Sequence, residues 1–225
     1  MTTRREFVAA AASASALAAA GCQTAGGASK RMIVDAQVHL WKAASPDWPW
    51  VPGMKPQMPE PFTIEKLVPL MDEAGVDRVV IVPPSWPGDR NDYGLEATRR
   101  YPSRFAVMGR ITLGNPGMAE QLARWREQPG MLGVRLTFNT PDLLKMLSDG
   151  RADWFWPIAE KAGLPVMFLI GDQGPGAMAR VAERYPGLQL ICDHMGMSLA
   201  MPEVRAGNFS GPISQTLALA KFPNV

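Results

Sequence analysis

Six short apolar runs punctuate the chain, at residues 32–38, 78–82, 105–111, 133–136, 165–169 and 189–192, each rich in Val, Ile, Leu or Met. Their near-continuous apolar character, rather than strict alternation, predicts strands covered on both faces, as in a parallel sheet. Between them the period changes. Ile64, Leu67, Val68 and Met71 follow i, i+3, i+4, i+7, with Thr63 placed to cap a helix and Gly75 to stop it. Pro69 lies inside that helix and is expected to kink it. Met178, Val181, Ala182 and Tyr185 repeat the spacing and end at Pro186-Gly187. Ile158, Ala159 and Ala162 mark a third helix, stopped at Gly163, and Ala119, Leu122 and Ala123 a fourth. Strand, helix and strand recurring at roughly thirty residues mean consecutive βαβ units with right-handed crossovers. An open doubly wound sheet and a closed (β/α) barrel both fit that string. No G-x-G-x-x-G follows a strand, so the doubly wound alternative lacks its dinucleotide signature.

An aromatic-Pro pair precedes the third strand (Tyr101-Pro102) and the sixth (Tyr185-Pro186). Phe222-Pro223 has the same form and follows the apolar helical run 213–220. A seventh strand is therefore expected from Val225, where the sequence stops, which reads as a chain cut short.

The chain has 225 residues, 47% hydrophobic and 20% charged, the composition of an ordinary globular protein. Its net charge of +2 argues against a nucleic-acid partner, which calls for a basic stripe. Two Cys cannot make a disulfide framework or a four-cysteine zinc site, and two His cannot make a three-histidine centre. The fourteen Met are spread over many segments, as core filler is.

Residues 1–22 read as an export signal. Arg4-Arg5-Glu6-Phe7 precedes an Ala-rich apolar run, 8–20, that is too short to cross a bilayer. The paired arginines are of the twin-arginine type, which places the protein in the periplasm. Cys22 is either a lipid-anchor site or a plain thiol behind ordinary cleavage after Ala20. Losing Arg4, Arg5 and Glu6 removes two positive charges and one negative, so +2 becomes +1 and no polybasic membrane patch remains. Residues 23–31 form a flexible linker, and 32–225 the folded part, with no transmembrane helix expected.

In parallel α/β folds the chemistry sits at the C-terminal ends of strands. Those positions hold Asp35, Gln37, His39, Leu40 and Trp41 after the first run, Arg110 after the third and Arg135 in the fourth. Gly171, Asp172 and Gln173 follow the fifth, and Asp193, His194, Met195 and Gly196 the sixth. Both histidines of the chain are in this set.

The segment Ile33-Val34-Asp35-Ala36-Gln37-Val38-His39-Leu40-Trp41 resembles the first-strand Asp-x-His-x-His signature of the amidohydrolase superfamily. It is most similar to the amidohydrolase-related branch, which includes sugar lactonases and a pyrone-dicarboxylate lactonase. Gly133-Val134-Arg135 resembles that branch's fourth strand, and Asp193-His194-Met195-Gly196 its sixth-strand Asp-His-x-Gly. The resemblance runs from about residue 32 to the end. It implies a (β/α)8 TIM-type barrel, incomplete, with about six of eight βα units present.

In that superfamily two first-strand histidines bind one divalent ion, and alternate positions put both on one face. Gln37 stands where one of them belongs, and a carboxamide is a poor zinc ligand beside imidazole. Residues 166–170 contain no His, and the family's last ligand and general base, an eighth-strand Asp, lies past the end of this chain. The resemblance leaves Gln37, His39 and His194 as metal candidates for a weakly held zinc or manganese, and favours metal-free chemistry with no cofactor. By the same resemblance His39 and His194 polarise a lactone carbonyl or relay a proton. Arg135 and Arg110 grip a carboxylate, Asp35 orients the strand end or a neighbouring His, and Trp41 contributes to substrate binding. Trp48 and Trp50, in the Pro-rich stretch 46–61, are expected to form an apolar lid with it. Structural alternatives stand beside these roles: Arg135 paired with Asp172 or Asp193, Trp41 in ordinary packing, and Cys192 as a small buried apolar residue. The expectation is an exported hydrolase that opens a lactone or similar C–O or C–N bond of a small carboxylated substrate. Its alternatives are a metal-dependent decarboxylase of the same fold and an inactive fragment that at most binds.

Overall fold

The computed structural model describes residues 31–171, 174–198 and 201–225. The segments expected to be an export signal, with Cys22, and a linker, up to residue 30, lie outside the described residues, as do Asp172 and Gln173.

All six apolar runs form strands: β1 Val34–Val38, β2 Arg78–Ile81, β3 Phe105–Gly109, β4 Met131–Phe138, β5 Pro165–Ile170 and β6 Gln189–Cys192. Each is hydrogen-bonded in parallel to the next, in the order β1-β2-β3-β4-β5-β6. A doubly wound sheet reverses its order at a switch point. This one does not, which settles the choice that the hydrophobic pattern leaves open. Six strands laid flat at their usual spacing would put β1 and β6 about 24 Å apart. Gln37 of β1 nevertheless touches His194, just beyond β6, at 3.3 Å. The sheet is therefore curled, and its six strands are successive members of an incomplete (β/α)8 barrel.

Strand alternation divides the side chains between two cores. Val79, Ile81, Val107, Val134, Leu136, Val166, Phe168 and Ile170 face outward and join the main core under the helices. Val80, Val82, Met108 and Met167 make a separate inner cluster. The register pairs Arg135 with Met167 and Met167 with Ile191, so the inner row continues through Arg135. Arg110 stands two positions after Met108 and falls on the same inner face. An apolar floor with polar groups above it at the strand ends is the frame of the site.

Eight α-helices are described: α1 Ile64–Ala74, α2 Asp92–Arg100, α3 Ala119–Ala123, α4 Pro141–Lys145, α5 Phe155–Lys161, α6 Gly174–Arg184, α7 Pro202–Arg205 and α8 Ser210–Leu217. Helix α1 starts and stops where expected and runs uninterrupted through Pro69. Its start is capped differently from the expectation. Thr63 makes no side-chain cap bond, and the Tyr93 hydroxyl of α2 accepts the Ile64 N–H instead, at 3.1 Å. Gly75 ends the helix at φ +68°, its N–H reaching the Asp72 and Met71 carbonyls. At the far end, the Asn224 carbonyl accepts the Leu190 N–H of β6 at 2.8 Å, which lays the last residues beside β6 where a further strand is expected. Among the described residues no helix is long and apolar enough to cross a membrane.

Candidate active site

The site is built at the C-terminal ends of the strands. On β1, Gln37 and the position two beyond it, His39, share one face. The His39 Nδ1–H donates to the Val82 carbonyl at 2.7 Å. A carbonyl only accepts, so the ring proton is fixed on Nδ1 and the lone pair is left on Nε2. Burial pushes the His39 pKa below 6.5, against the Val82 hydrogen bond, and the neighbouring Arg135 charge acts in the same direction as burial. His39 is therefore a neutral imidazole near pH 7. Trp86 lies edge-on to it, with centroids 6.2 Å apart.

After β6 the chain makes a tight left-handed turn. His194, Met195 and Gly196 have φ of +50°, +55° and +68°. For a residue with a Cβ this backbone costs about 1–2 kcal/mol, so the turn persists because its surroundings impose it. It presents His194 half-exposed toward β1, where the Gln37 carboxamide nitrogen donates to His194 Nε2 at 3.3 Å. With the carboxamide in this orientation the bond places the His194 proton on Nδ1, and Asp193 Oδ1 stands 3.6 Å from the same Nε2. The two imidazoles thus differ in what they offer: an acceptor at His39 Nε2 and a donor at His194 Nδ1.

The turn is rooted in a buried ion pair. Arg135 Nε and Nη2 both donate to Asp193 Oδ2, at 3.1 and 2.8 Å, and the side chains are 5% and 2% exposed. Arg135 Nη1 faces the Thr137 hydroxyl at 3.5 Å. Burial disfavours the Arg135 charge, and the Asp193 carboxylate offsets it. Of the two structural partners open for Arg135, the structure gives Asp193.

Arg110 is held by the loop after β2. Its Nε donates to Asp89 Oδ1 at 3.1 Å, while Asp89 Oδ2 accepts the Thr112 hydroxyl at 2.8 Å. Asn91 clamps the Arg110 peptide from both sides, accepting its N–H at 2.7 Å and donating to its carbonyl at 2.9 Å. Arg110 Nη1 is buried and has no hydrogen-bond partner among the described residues. Arg110 and Arg135 line one cleft of about 450 Å³, with Asp89, Thr112, Thr137 and Met54. A second cavity, of about 380 Å³, borders His194 and is walled by Leu169, Met197 and Val204.

The remaining expected site residues are placed elsewhere. Asp35 is exposed, and its carboxylate accepts the Gln37 N–H at 3.1 Å, a local contact within β1. Trp41 is fully buried against Trp86 and Phe62, at centroid distances of 5.3 and 5.9 Å. It packs as core and does not line the cleft. Trp48 is likewise buried against Tyr93, and Trp50 packs half-buried on the core. Their segment folds down onto the body and supplies Met54, not a tryptophan, to the cleft wall. The Cys192 thiol is pushed up to about 11 by burial, so it is not a thiolate nucleophile. Asp89, Asn91, Thr112 and Thr137 are additions that the strand-end positions alone do not reveal.

A divalent ion would draw on His39 Nε2, His194 Nε2 and the Gln37 carboxamide. These do not fit a catalytic zinc site, which takes three firm protein ligands. The Gln37 N–H already occupies His194 Nε2, Asp193 Oδ2 is taken by two N–H groups of Arg135, and the buried guanidinium beside His39 repels a cation. Among the described residues no three of His, Cys, Asp and Glu gather to hold a metal.

Comparison with known proteins agrees with this architecture. A family model described as Amidohydrolase matches residues 34–225. The L-fucono-1,5-lactonase of Burkholderia ambifaria is 28% identical over 200 residues, which cover 85% of this chain and 65% of that protein. An amidohydrolase from Burkholderia multivorans, solved with bound zinc, has a TM-score of 0.66 at 20% identity, covering 87% of this chain and 68% of the other. A probable 2-pyrone-4,6-dicarboxylic acid hydrolase from Acinetobacter baumannii, solved with citric acid, has a TM-score of 0.62 at 19% identity, covering 84% and 66%. The chain thus spans about two thirds of the length of these proteins. By its strand order and by the match across 34–225, the chain belongs to the amidohydrolase family.

Proposed function

We propose that this site serves a hydrolase that opens the ring C–O bond of a small carboxylated lactone. One observation carries the reading: two buried arginines share a cleft wall, and Arg135 adjoins a neutral imidazole. The substrate carboxylate accepts from Arg110, whose guanidinium has a buried N–H with no partner among the described residues. The lactone carbonyl oxygen lies toward His194 Nδ1–H, the donor of the imidazole pair. His39 Nε2, the acceptor, takes a proton from water as the water oxygen bonds to the carbonyl carbon. The ring C–O bond then breaks, its oxygen takes the proton that His39 Nε2 accepted, and a hydroxy acid leaves. The lactonase relative and the dicarboxylic acid hydrolase neighbour support this substrate class. Because the chain spans about two thirds of their length, turnover is proposed for the protein as a whole.

The test is proton release from a panel of sugar 1,5-lactones with and without a carboxylate. Carboxylated lactones are expected to be preferred. Arg110→Met is expected to raise KM about 10–100-fold, with kcat changed less, because it removes a charged hydrogen bond worth about 1.5–3 kcal/mol. Equal turnover of neutral lactones, with the variant unaffected, would count against the reading. Activity that appears only with added zinc or manganese and yields CO2 would favour the decarboxylase.

The pattern of residues 1–22 supports export of this activity. Replacing Arg4 and Arg5 with lysine is expected to retain the protein in the cytoplasm, as read by cell fractionation.

A further inference from the structure

The turn that carries His194 is held at both ends, upstream through a carboxylate and downstream through a hydroxyl. Upstream, Asp193 is locked by the buried Arg135. Downstream, the Thr216 hydroxyl of α8 donates to the Met195 carbonyl at 2.7 Å. It also packs so closely on Gly196 that any Cβ there would run into it. The Met195 side chain is 62% exposed, so packing of that side chain does not secure the turn; the grip is on its peptide. Cys192 reaches the same hydroxyl, and the Met197 N–H closes the turn onto the His194 carbonyl at 3.0 Å.

We propose that Thr216 is a positioning residue for His194. It holds the Met195 carbonyl, and so the left-handed backbone, in the one orientation that aims His194 Nε2 at Gln37 and leaves Nδ1–H toward the reacting carbonyl. Its part in turnover rests on the hydrolase reading; its hold on the imidazole does not.

The chain has two histidines, so ring-nitrogen labelling gives one resolvable set of signals for each. At about pH 8, where imidazoles are neutral, both rings of the full chain should show the Nδ1–H tautomer. Thr216→Val is expected to move His194 to the mixed-tautomer pattern of a free imidazole. It should also remove the through-space cross-peak between His194 and the Gln37 carboxamide protons, while His39 stays as it was. Thr216→Ala, which adds no bulk near Gly196, carries the same expectation, and Thr216→Ser should restore the parent pattern. An unchanged His194 in the Val and Ala variants would overturn the proposal. So would equal disturbance of both histidines, which would make Thr216 a general structural residue. In turnover, Thr216→Val is expected to lower kcat by up to about 100-fold, as an ångström-scale misplacement does, with KM nearly constant. A parent protein that hydrolyses no lactone would sink the hydrolase reading and leave the tautomer result standing.

Discussion

Asp193→Ala is expected to lower folding stability by about 3–5 kcal/mol, the cost of stripping a buried ion pair of one partner. Arg135 would keep its charge at 5% side-chain exposure. Its other neighbours offer little in exchange: the Thr137 hydroxyl is at 3.5 Å, and the nearby Arg110 charge is repulsive. The loss also frees the upstream end of the left-handed turn, so His194 should lose its alignment with Gln37 before the protein melts. Arg135→Met combined with Asp193→Leu is expected to regain most of the stability, because well-packed apolar side chains replace a buried pair at little net cost. That double variant should still lack the anchor at the upstream end of the His194 turn, so stability returns without turnover. Urea midpoints with an unchanged m-value would read the stabilities. A single variant within about 1 kcal/mol of the parent would mean that water reaches the pair and that it is not the root of the site.

His39→Gln is expected to lower kcat by about 10²–10⁴-fold on the proposed mechanism, the range for losing a general base. Gln keeps an N–H to offer the Val82 carbonyl and removes the basic nitrogen, so the chemistry is lost and the hydrogen bond is not. The same substitution should change the pH dependence of stability. In the folded protein the His39 pKa lies below 6.5, so at mildly acidic pH the unfolded chain binds a proton that the folded one resists. Stability from this residue is full above 6.5 and is lost as the pH falls from there through the folded value. The slope is at most about 1.4 kcal/mol per pH unit. The variant should lack that slope, and the parent's kcat/KM should fall on an acid limb centred below 6.5. Parallel stability curves for parent and variant would place His39 in water and remove the case for a neutral base.

The six strands were legible because buried parallel strands are apolar along their whole length and end at turn residues. Whether they curl into a barrel was not, since a doubly wound sheet has the same string; only the pairing of each strand with the next decides it. Helix α2 carries no apolar stripe that a period count would find. Its buried positions are Tyr93, Gly94, Ala97 and Thr98, small or polar residues that a close neighbour covers. The cap of α1 comes from Tyr93, 29 residues away, beyond any local signature. At the site, the strand-end rule reached His39, Arg110, Arg135, Asp193 and His194. It missed Asp89 and Asn91 because the loop after β2 has neither an apolar pattern nor a histidine to draw attention. Trp41 shows the opposite failure. A tryptophan after a strand looks the same in sequence whether it faces a cleft or, as here, Trp86 and Phe62.

The account rests on a carboxylate binding at Arg110 with its reacting carbonyl between the two imidazoles. The most direct measurement is a crystal structure with the hydroxy-acid product of a carboxylated lactone bound. The predicted result is a remote carboxylate hydrogen-bonded to the Arg110 guanidinium within the cleft, and the carboxyl group formed from the lactone carbonyl beside His39 Nε2 and His194 Nδ1. Product bound elsewhere, with the Arg110 guanidinium satisfied by the protein's own groups and both imidazoles facing solvent, would contradict it.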